Sequence, residues 1–438
     1  MSIELLTVLI FGTMVFFLFM GLPVAFATGV TGIIFTAIIQ GPSAVNVVPT
    51  RIFGLMTNYL LDAIPLFIFM ANILEKSGII EDIYHMVYHW LGWLKGGVAT
   101  ATVVACTMMA AMAGVVGATE VTMGLIALPQ MLNRKYDKLM SLGAILAGGT
   151  LGILIPPSVM LIVYGMVDNS SIGQLYAGAF LPGFILSGLF IAYISIRSFI
   201  NPVMGPPIPL EERKSFKELL GLLAPVIPAG LLIFLVLGTI VVGIASPTEA
   251  AGVGCLGAFL IAVFKRRMNM KSLVSAAENT IKATAMVMWT MFGANIFIAL
   301  YIMVGGQDFV QGMLLGSGLP PMAIIWVMMG ILIFLGMFID WVGIVMLTVP
   351  LFGPVIRQLG FDPIWFGVLF AVNMQLSFLT PPFGFSLFYL KSVAPPDVST
   401  IDVWKAALPF LGLQFIGLLL CMYIPDIILI GPTYFFRG

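Results

Sequence analysis

Two stretches hold most of the oxygen chemistry that this sequence offers. Residues 148–158, GGTLGILIPPS, place Thr150 and Ser158 around Pro156-Pro157, and residues 377–387, SFLTPPFGFSL, place Ser377, Thr380 and Ser386 around Pro381-Pro382. A double proline removes two amide donors and cannot continue a helix. Each stretch is therefore expected to expose unwound carbonyls and a free helix end. Two carboxylates lie in other apolar runs, Glu120 beside Thr119 and Thr122, and Asp340 after Gly336. Hard oxygen ligands of this kind suit a small alkali cation, and no His/Cys set for a transition metal accompanies them. Helix N-termini at the same breaks offer a positive end to an anion. No lysine or arginine falls inside either break or beside the two carboxylates. An anion held there would rest on helix ends, hydroxyls and a co-bound cation, and the mutual effect of the two ligands on affinity would be reciprocal.

The elements that must position these groups are membrane helices. The chain has 438 residues, 61% of them hydrophobic and 9% charged, with a mean hydropathy of +1.12. Soluble domains carry about 25% charge, so composition excludes one and implies an all-α polytopic membrane protein surrounded by lipid, with no nucleic-acid partner. The run from Leu5 to Met20 lacks a basic n-region and a small-residue cleavage site, and reads as a first span. At about 20 residues per span, further spans are expected at 21–40 and 52–76, then an interfacial aromatic arm over 79–95. The run 97–133 carries Glu120 at its middle and AGVVGATE at 113–120. It reads as a re-entrant hairpin, because irregular backbone at membrane depth must be buried in protein. A broken helix at 138–165 and a span at 174–197 follow. The polar stretch 201–218 reads as a linker.

The second half replays the first. Pro23 answers to Pro247 at an offset of 224, Asn72 to Asn295 at 223, Pro129 to Pro350 at 221 and Pro156 to Pro381 at 225. The expectation is two repeats, 1–200 and 219–438, each with five spans and one hairpin. In the second repeat the spans lie near 220–240, 246–264, 278–302, 363–390 (broken) and 404–425, with an arm at 304–318 and a hairpin at 319–357. With 97–133 re-entrant, 16 of the 19 basic residues share one side, and Arg51, Arg357 and Arg437 remain opposite. The positive-inside rule then makes 201–218 cytoplasmic and puts both termini outside. An odd number of spans per half makes the repeats inverted, and interrupted segments at matching places in inverted repeats point to a transporter binding site.

Other residues have plainer readings. Thr119, Thr122 and Thr150 are suited to bonding carbonyls one turn back, and Asn72 and Asn295 to joining helices. Asp62, before Pro65, is placed mid-span as a cation ligand or a partner for backbone freed by the proline. Glu249 in SPTEAAG suits a helix first turn. His85 and His89 suit the polar tips of an interfacial helix, and Cys106, Cys255 and Cys421 suit small packing residues. An intramembrane enzyme is disfavoured, since no HExxH pair or Ser/His couple exists, and a passive channel is disfavoured by two occluding hairpins. A self-sufficient divalent-anion/sodium symporter shares the inverted-repeat plan.

GGTLGILIPPSVMLIVYG at 148–165, SPTEAAGVG at 246–254, GMFIDWVGIVMLTVPLF at 336–352 and LTPPFGFSLFYLKSVAPP at 379–396 resemble the large, DctM-like membrane subunit of tripartite ATP-independent periplasmic (TRAP) transporters. The resemblance implies an elevator-type secondary transporter that uses a sodium gradient to import an organic acid. It also implies a periplasmic binding protein and a separate small four-helix membrane subunit as partners, and a bacterial inner membrane as the location, with both termini in the periplasm. Sodium sites would fall at Ala113, Gly114, Gly117, Thr119 and Glu120 with Gly149, Thr150, Pro156 and Ser158, and at Gly336 and Asp340 with Ser377, Thr380, Pro381 and Gly384. Thr119, Thr122, Ser158, Asp340, Thr380 and Ser386 are the candidates for substrate contact. Two departures stand out. The first tip has no serine, and Trp341 replaces the proline that often follows the aspartate of the second tip.

Overall fold

The structure, a computed structural model, describes residues 1–114 and 116–436. Val115 of the first tip, Arg437 and Gly438 lie outside the described residues, as does the Ala113 side chain. Everything described is helix or connection, with no strand among the described residues. The first half runs α1 (Ile3–Phe19), α2 (Val24–Gln40), α3 (Val47–Met56), α4 (Ala63–Lys76), α5 (Ile79–Leu91), α6 (Gly97–Ala113), α7 (Val116–Asn133), α8 (Lys138–Thr150), α9 (Val159–Asp168) and α10 (Ile172–Ile200). The second runs α11 (Phe216–Gly221), α12 (Ile227–Val241), α13 (Pro247–Phe264), α14 (Met270–Met303), α15 (Gly306–Leu315), α16 (Pro321–Gly336), α17 (Trp341–Gln358), α18 (Pro363–Leu379), α19 (Phe385–Val393), α20 (Thr400–Tyr423) and α21 (Asp426–Phe436).

The interrupted segments break where the sequence demands it. α6 and α7 form a hairpin that turns at Gly114, whose φ of +61° is open to a residue without Cβ. α16 and α17 form the second hairpin, with Met337–Asp340 as its tip. α8 stops short of Pro156-Pro157 and α9 restarts at Val159. α18 stops at Leu379, before Pro381-Pro382, and α19 restarts at Phe385. Both Pro-Pro bonds are cis.

Three expectations change. The continuous span over 52–76 is bent by 57° between α3 and the segment Tyr59–Lys76. The Asn58 side chain accepts the Leu60 amide at 3.1 Å, starting a 3₁₀ turn over Tyr59–Asp62 that ends α3. Asp62 closes that turn and is exposed. The span expected at 278–302 begins at Met270, making α14 about 51 Å long at 1.5 Å per residue. A further helix, α21, follows the last expected span, and its Gly431 passes against the Ala177 carbonyl of α10. By length and hydropathy alone, five described helices are able to cross a membrane, or six with the bent pair, and α1, α2, α16 and α18 are apolar helices of 16 or 17 residues. Both broken spans fail that measure because the proline pairs divide each into pieces too short to qualify.

Packing gathers the helices into two groups that meet where α17 lies on α14 and α6 on α4. α2 and α4 lie against α14, and α4 against α13, making one wall. The hairpins and broken helices make the other: α7 packs on α8 and α19, α17 on α9, and α8 on α6 and α20. Asn72 of α4 donates to Thr280 Oγ1 of α14 at 3.0 Å, so it does join helices, whereas the buried Asn295 Oδ1 has no hydrogen-bond partner among the described residues. Glu249 forms a capping box with Ser246, consistent with its first-turn reading.

Candidate functional site

The first hairpin closes on the first break. A Cβ on Gly114 would stand 2.5 Å from the Pro157 carbonyl oxygen, so the tip backbone lies directly on the unwound segment. About one turn along α7, Glu120 is fully buried and presses on Gly149, where an added Cβ would overlap the Glu120 Cγ and stand 2.9 Å from its Oε1. Neither Glu120 oxygen has a hydrogen-bond partner among the described residues. The Ser386 hydroxyl from α19 stands beside it. A buried carboxylate without a partner is costly, so this pocket favours a bound cation or a proton.

The second hairpin meets the second break in the same manner. A Cβ on Gly336 would collide with Ser377, 2.6 Å from its Oγ. Asp340 is the N-cap residue of α17, half-buried, with its carboxylate beside the Trp341 and Val342 amides but without a formed cap hydrogen bond. Tyr389 of α19 lies within electrostatic range of both carboxylates. Its ring rests on Gly117, 3.1 Å from where a Cβ would be, and its hydroxyl feels the charge of both Asp340 and Glu120.

Four of the candidate hydroxyls are already engaged as donors. Ser158 caps α9, donating to the Ile153 carbonyl at 2.5 Å and accepting from the Leu161 amide at 3.3 Å. Thr380 donates to Leu376 O at 2.6 Å, and Ser377 to Asn373 O at 3.3 Å. Thr150 donates back to Ala147 O at 2.9 Å, as its plainer reading anticipated. A hydroxyl that gives its proton to a carbonyl keeps lone pairs for a cation. Gly384, N-cap of α19, lies against the Phe378 carbonyl with no room for a side chain. Ala113 ends α6 beside the tip, while Pro156 is buried in the break.

Of the substrate candidates, Thr119 and Thr122 line one cavity of about 500 Å³ between α7 and the α4/α14 wall. Ser158, Asp340, Thr380 and Ser386 are not on that wall. A second cavity, about 720 Å³, lies beside the second hairpin and is lined by apolar groups including Phe338, Ile339 and Phe383.

Sequence reasoning missed a buried amide layer. Gln414 of α20 donates to Thr150 Oγ1 at 3.0 Å, and Thr150 Oγ1 lies 3.2 Å from Gln375 Oε1 of α18. Gln375 Nε2 and Gln414 Oε1 are buried without hydrogen-bond partners among the described residues. The signal was available, since polar side chains inside apolar runs carry the same presumption as acids. It also missed that Arg357, at the end of α17, pairs with Asp168, at the end of α9, at 2.8 Å.

The chain matches, over residues 11–427, the family model described as the DctM component of the tripartite ATP-independent periplasmic transporter. It is 32% identical to the C4-dicarboxylate TRAP transporter large permease protein DctM of Vibrio cholerae, with both chains covered in full. It is 28% identical to the sialic acid TRAP transporter large permease protein SiaM of the same organism, covering 95% of this chain and 96% of that one. The fold is also that of the Alcanivorax borkumensis YdaH transporter, with a TM-score of 0.62 at 15% identity over 88% of this chain and 89% of the other. Hairpins seated on proline breaks, the all-helical fold and the full-length match agree, and the chain belongs to the DctM component family of TRAP transporters.

Proposed function

We propose that this chain is the sodium-coupled, elevator-type importer subunit for an organic anion. It works with a separate small four-helix membrane subunit and a periplasmic binding protein that delivers the acid. In this reading the halves 1–200 and 219–438 are inverted repeats joined by a cytoplasmic linker, with both termini in the periplasm. The hairpins and broken helices form the moving body, and the α2/α4/α13/α14 wall stays with the membrane. The observation that carries the reading is the paired closure of glycine-bearing hairpins on proline breaks, Gly114 on Pro157 and Gly336 on Ser377. Each closure brings carbonyls, hydroxyl lone pairs and a carboxylate, Glu120 or Asp340, into one region, which suits sodium as the coupling ion. The names of the relatives support an organic acid as cargo.

The test is uptake into proteoliposomes under an imposed sodium gradient, with the small subunit and loaded binding protein supplied. Asp340→Ala is expected to reduce sodium-dependent uptake more than Asp62→Ala, because Asp62 is exposed at a bend and belongs to neither a hairpin nor a proline break. Equal, wild-type sodium dependence in both variants removes Asp340 from the site. Transport without any binding protein would sink the tripartite reading in favour of a self-sufficient symporter. A tag at either terminus is expected to be labelled from outside intact cells, and labelling only after permeabilisation refutes the topology.

A further inference from the structure

The cavity beside the first hairpin contains a charge that the breaks lack. On its hairpin side stand Gly117, Thr119 and Thr122 of α7 with Tyr389 of α19, and on its wall side Asn72, Glu75, Asn279 and Lys282 of α4 and α14. Two lining groups are ionisable at neutral pH. Glu75 already faces Lys76, 3.5 Å away. The Lys282 ammonium has no carboxylate within 4.0 Å among the described residues, and its side chain is exposed to the cavity. The Asn72–Thr280 hydrogen bond joins α4 to α14 two residues before Lys282, so this cation stands on a braced surface. The cavity beside the second hairpin has no ionisable lining group.

We propose that Lys282 is the anion-binding group of this cavity. It engages the carboxylate of the transported acid while Thr119 and Thr122, across the gap, offer hydroxyls to the rest of the molecule. This rests on the organic-anion reading above and deepens it. A carboxylate leaving water for a cavity lined mostly by apolar side chains needs a charged partner, and the breaks themselves supply none. A flexible lysine at a cavity wall draws an anion in by its field and follows it with its long stem. Because Lys282 sits on the wall and the two threonines sit on the hairpin, the contact exists only while those bodies stand as they do here. Lys282 is thus a contact specific to one arrangement of the two bodies, which an anion loses when the hairpin body moves along the wall.

The experiment measures equilibrium binding of radiolabelled succinate and N-acetylneuraminate to the full chain in lipid nanodiscs, without binding protein. Succinamide, uncharged and of similar shape to succinate, serves as competitor. Lys282→Ala is expected to weaken binding of the better-bound acid about tenfold, and Lys282→Arg to keep it within about threefold. Lys282→Glu is expected to abolish it, and competition by succinamide is expected to be the same in wild type, Lys282→Ala and Lys282→Arg. Unchanged acid affinity in Lys282→Ala overturns the proposal, as does an equal loss for succinamide, which marks a structural role. If the wild-type chain binds neither acid while sodium still raises its thermal stability, the organic-anion reading falls, and this inference with it.

Discussion

Removing either member of the Asp168–Arg357 pair deletes the same ion pair, yet the two losses are expected to differ. Arg357 Nη2 lies 2.8 Å from Asp168 Oδ2 and donates to the Asp168 carbonyl at 2.9 Å, while Ser170 donates to the same carboxylate. The exposures decide the asymmetry, with the arginine side chain 44% accessible and the aspartate 2%. In Asp168→Asn the guanidinium turns into water, and the amide keeps one partner in Ser170. The cost should match a half-exposed ion pair, about 1 kcal/mol or less. Arg357→Ala instead leaves a buried carboxylate at the C-terminal end of α9, where the helix dipole is also unfavourable to it. Stranding such a charge costs about 2–4 kcal/mol. The double variant Arg357→Ala/Asp168→Asn removes the stranded charge and should sit near Asp168→Asn alone. Thermal unfolding of the purified chain in one detergent reads this as an order of midpoints: wild type, then Asp168→Asn and the double variant together, then Arg357→Ala lowest. Asp168→Asn falling as far as Arg357→Ala, or a double variant with the two losses added, refutes the argument.

Gly336→Ala should force the second hairpin off Ser377 and cut sodium-driven uptake several-fold, the overpacking costing about 1–3 kcal/mol. The added change Ser377→Gly should restore part of it, and no recovery in the double variant contradicts the contact. His89 on the α5 arm has its pKa held down to about 4, first by burial and then by the nearby Lys214 and His85. Its folded pKa lies below the unfolded value, so the unfolded chain binds the extra proton and stability is lost as pH falls from about 6.5 towards 4. His89→Gln should flatten the pH dependence of the thermal midpoint in that window, and an unchanged slope assigns the loss to other groups.

The breaks and hairpins were legible because they are written in residues with one physical meaning each. Pro156-Pro157 and Pro381-Pro382 end helices wherever they fall, and the glycines at 114 and 336 sit where a tip must touch a backbone or a serine. The bend between α3 and α4 was not legible, because it depends on the Asn58 side chain capturing the Leu60 amide. Both Asn58 and its neighbours are compatible with an unbroken apolar span. Helix α21 was missed for a related reason: its place is fixed by contact of Gly431 and Ile428 with α10, which no local pattern announces. Lys282 was counted only as a topological charge, since its value as a ligand appears only when α14 is set opposite α7.

The same distinction divides the candidate site. Ser158, Thr380 and Ser377 were singled out as ligands by residue type, and each gives its proton to a local carbonyl, an arrangement that fixes where its lone pairs point. Thr150 goes further, since its hydroxyl bridges toward Gln375 and Gln414 from two other helices. A residue chosen as a loop ligand is therefore also the joint of a buried amide layer spanning α8, α18 and α20. Gln375 Nε2 and Gln414 Oε1 lack partners there, and an unsatisfied amide in an apolar interior costs about 1–3 kcal/mol. Glu120 lies in the next layer, with both its oxygens also unpaired and Gly149 as the contact between them. Buried polar atoms gathered at one end of a break need partners, which in the proposed reading another arrangement of the same helices or a bound cation supplies.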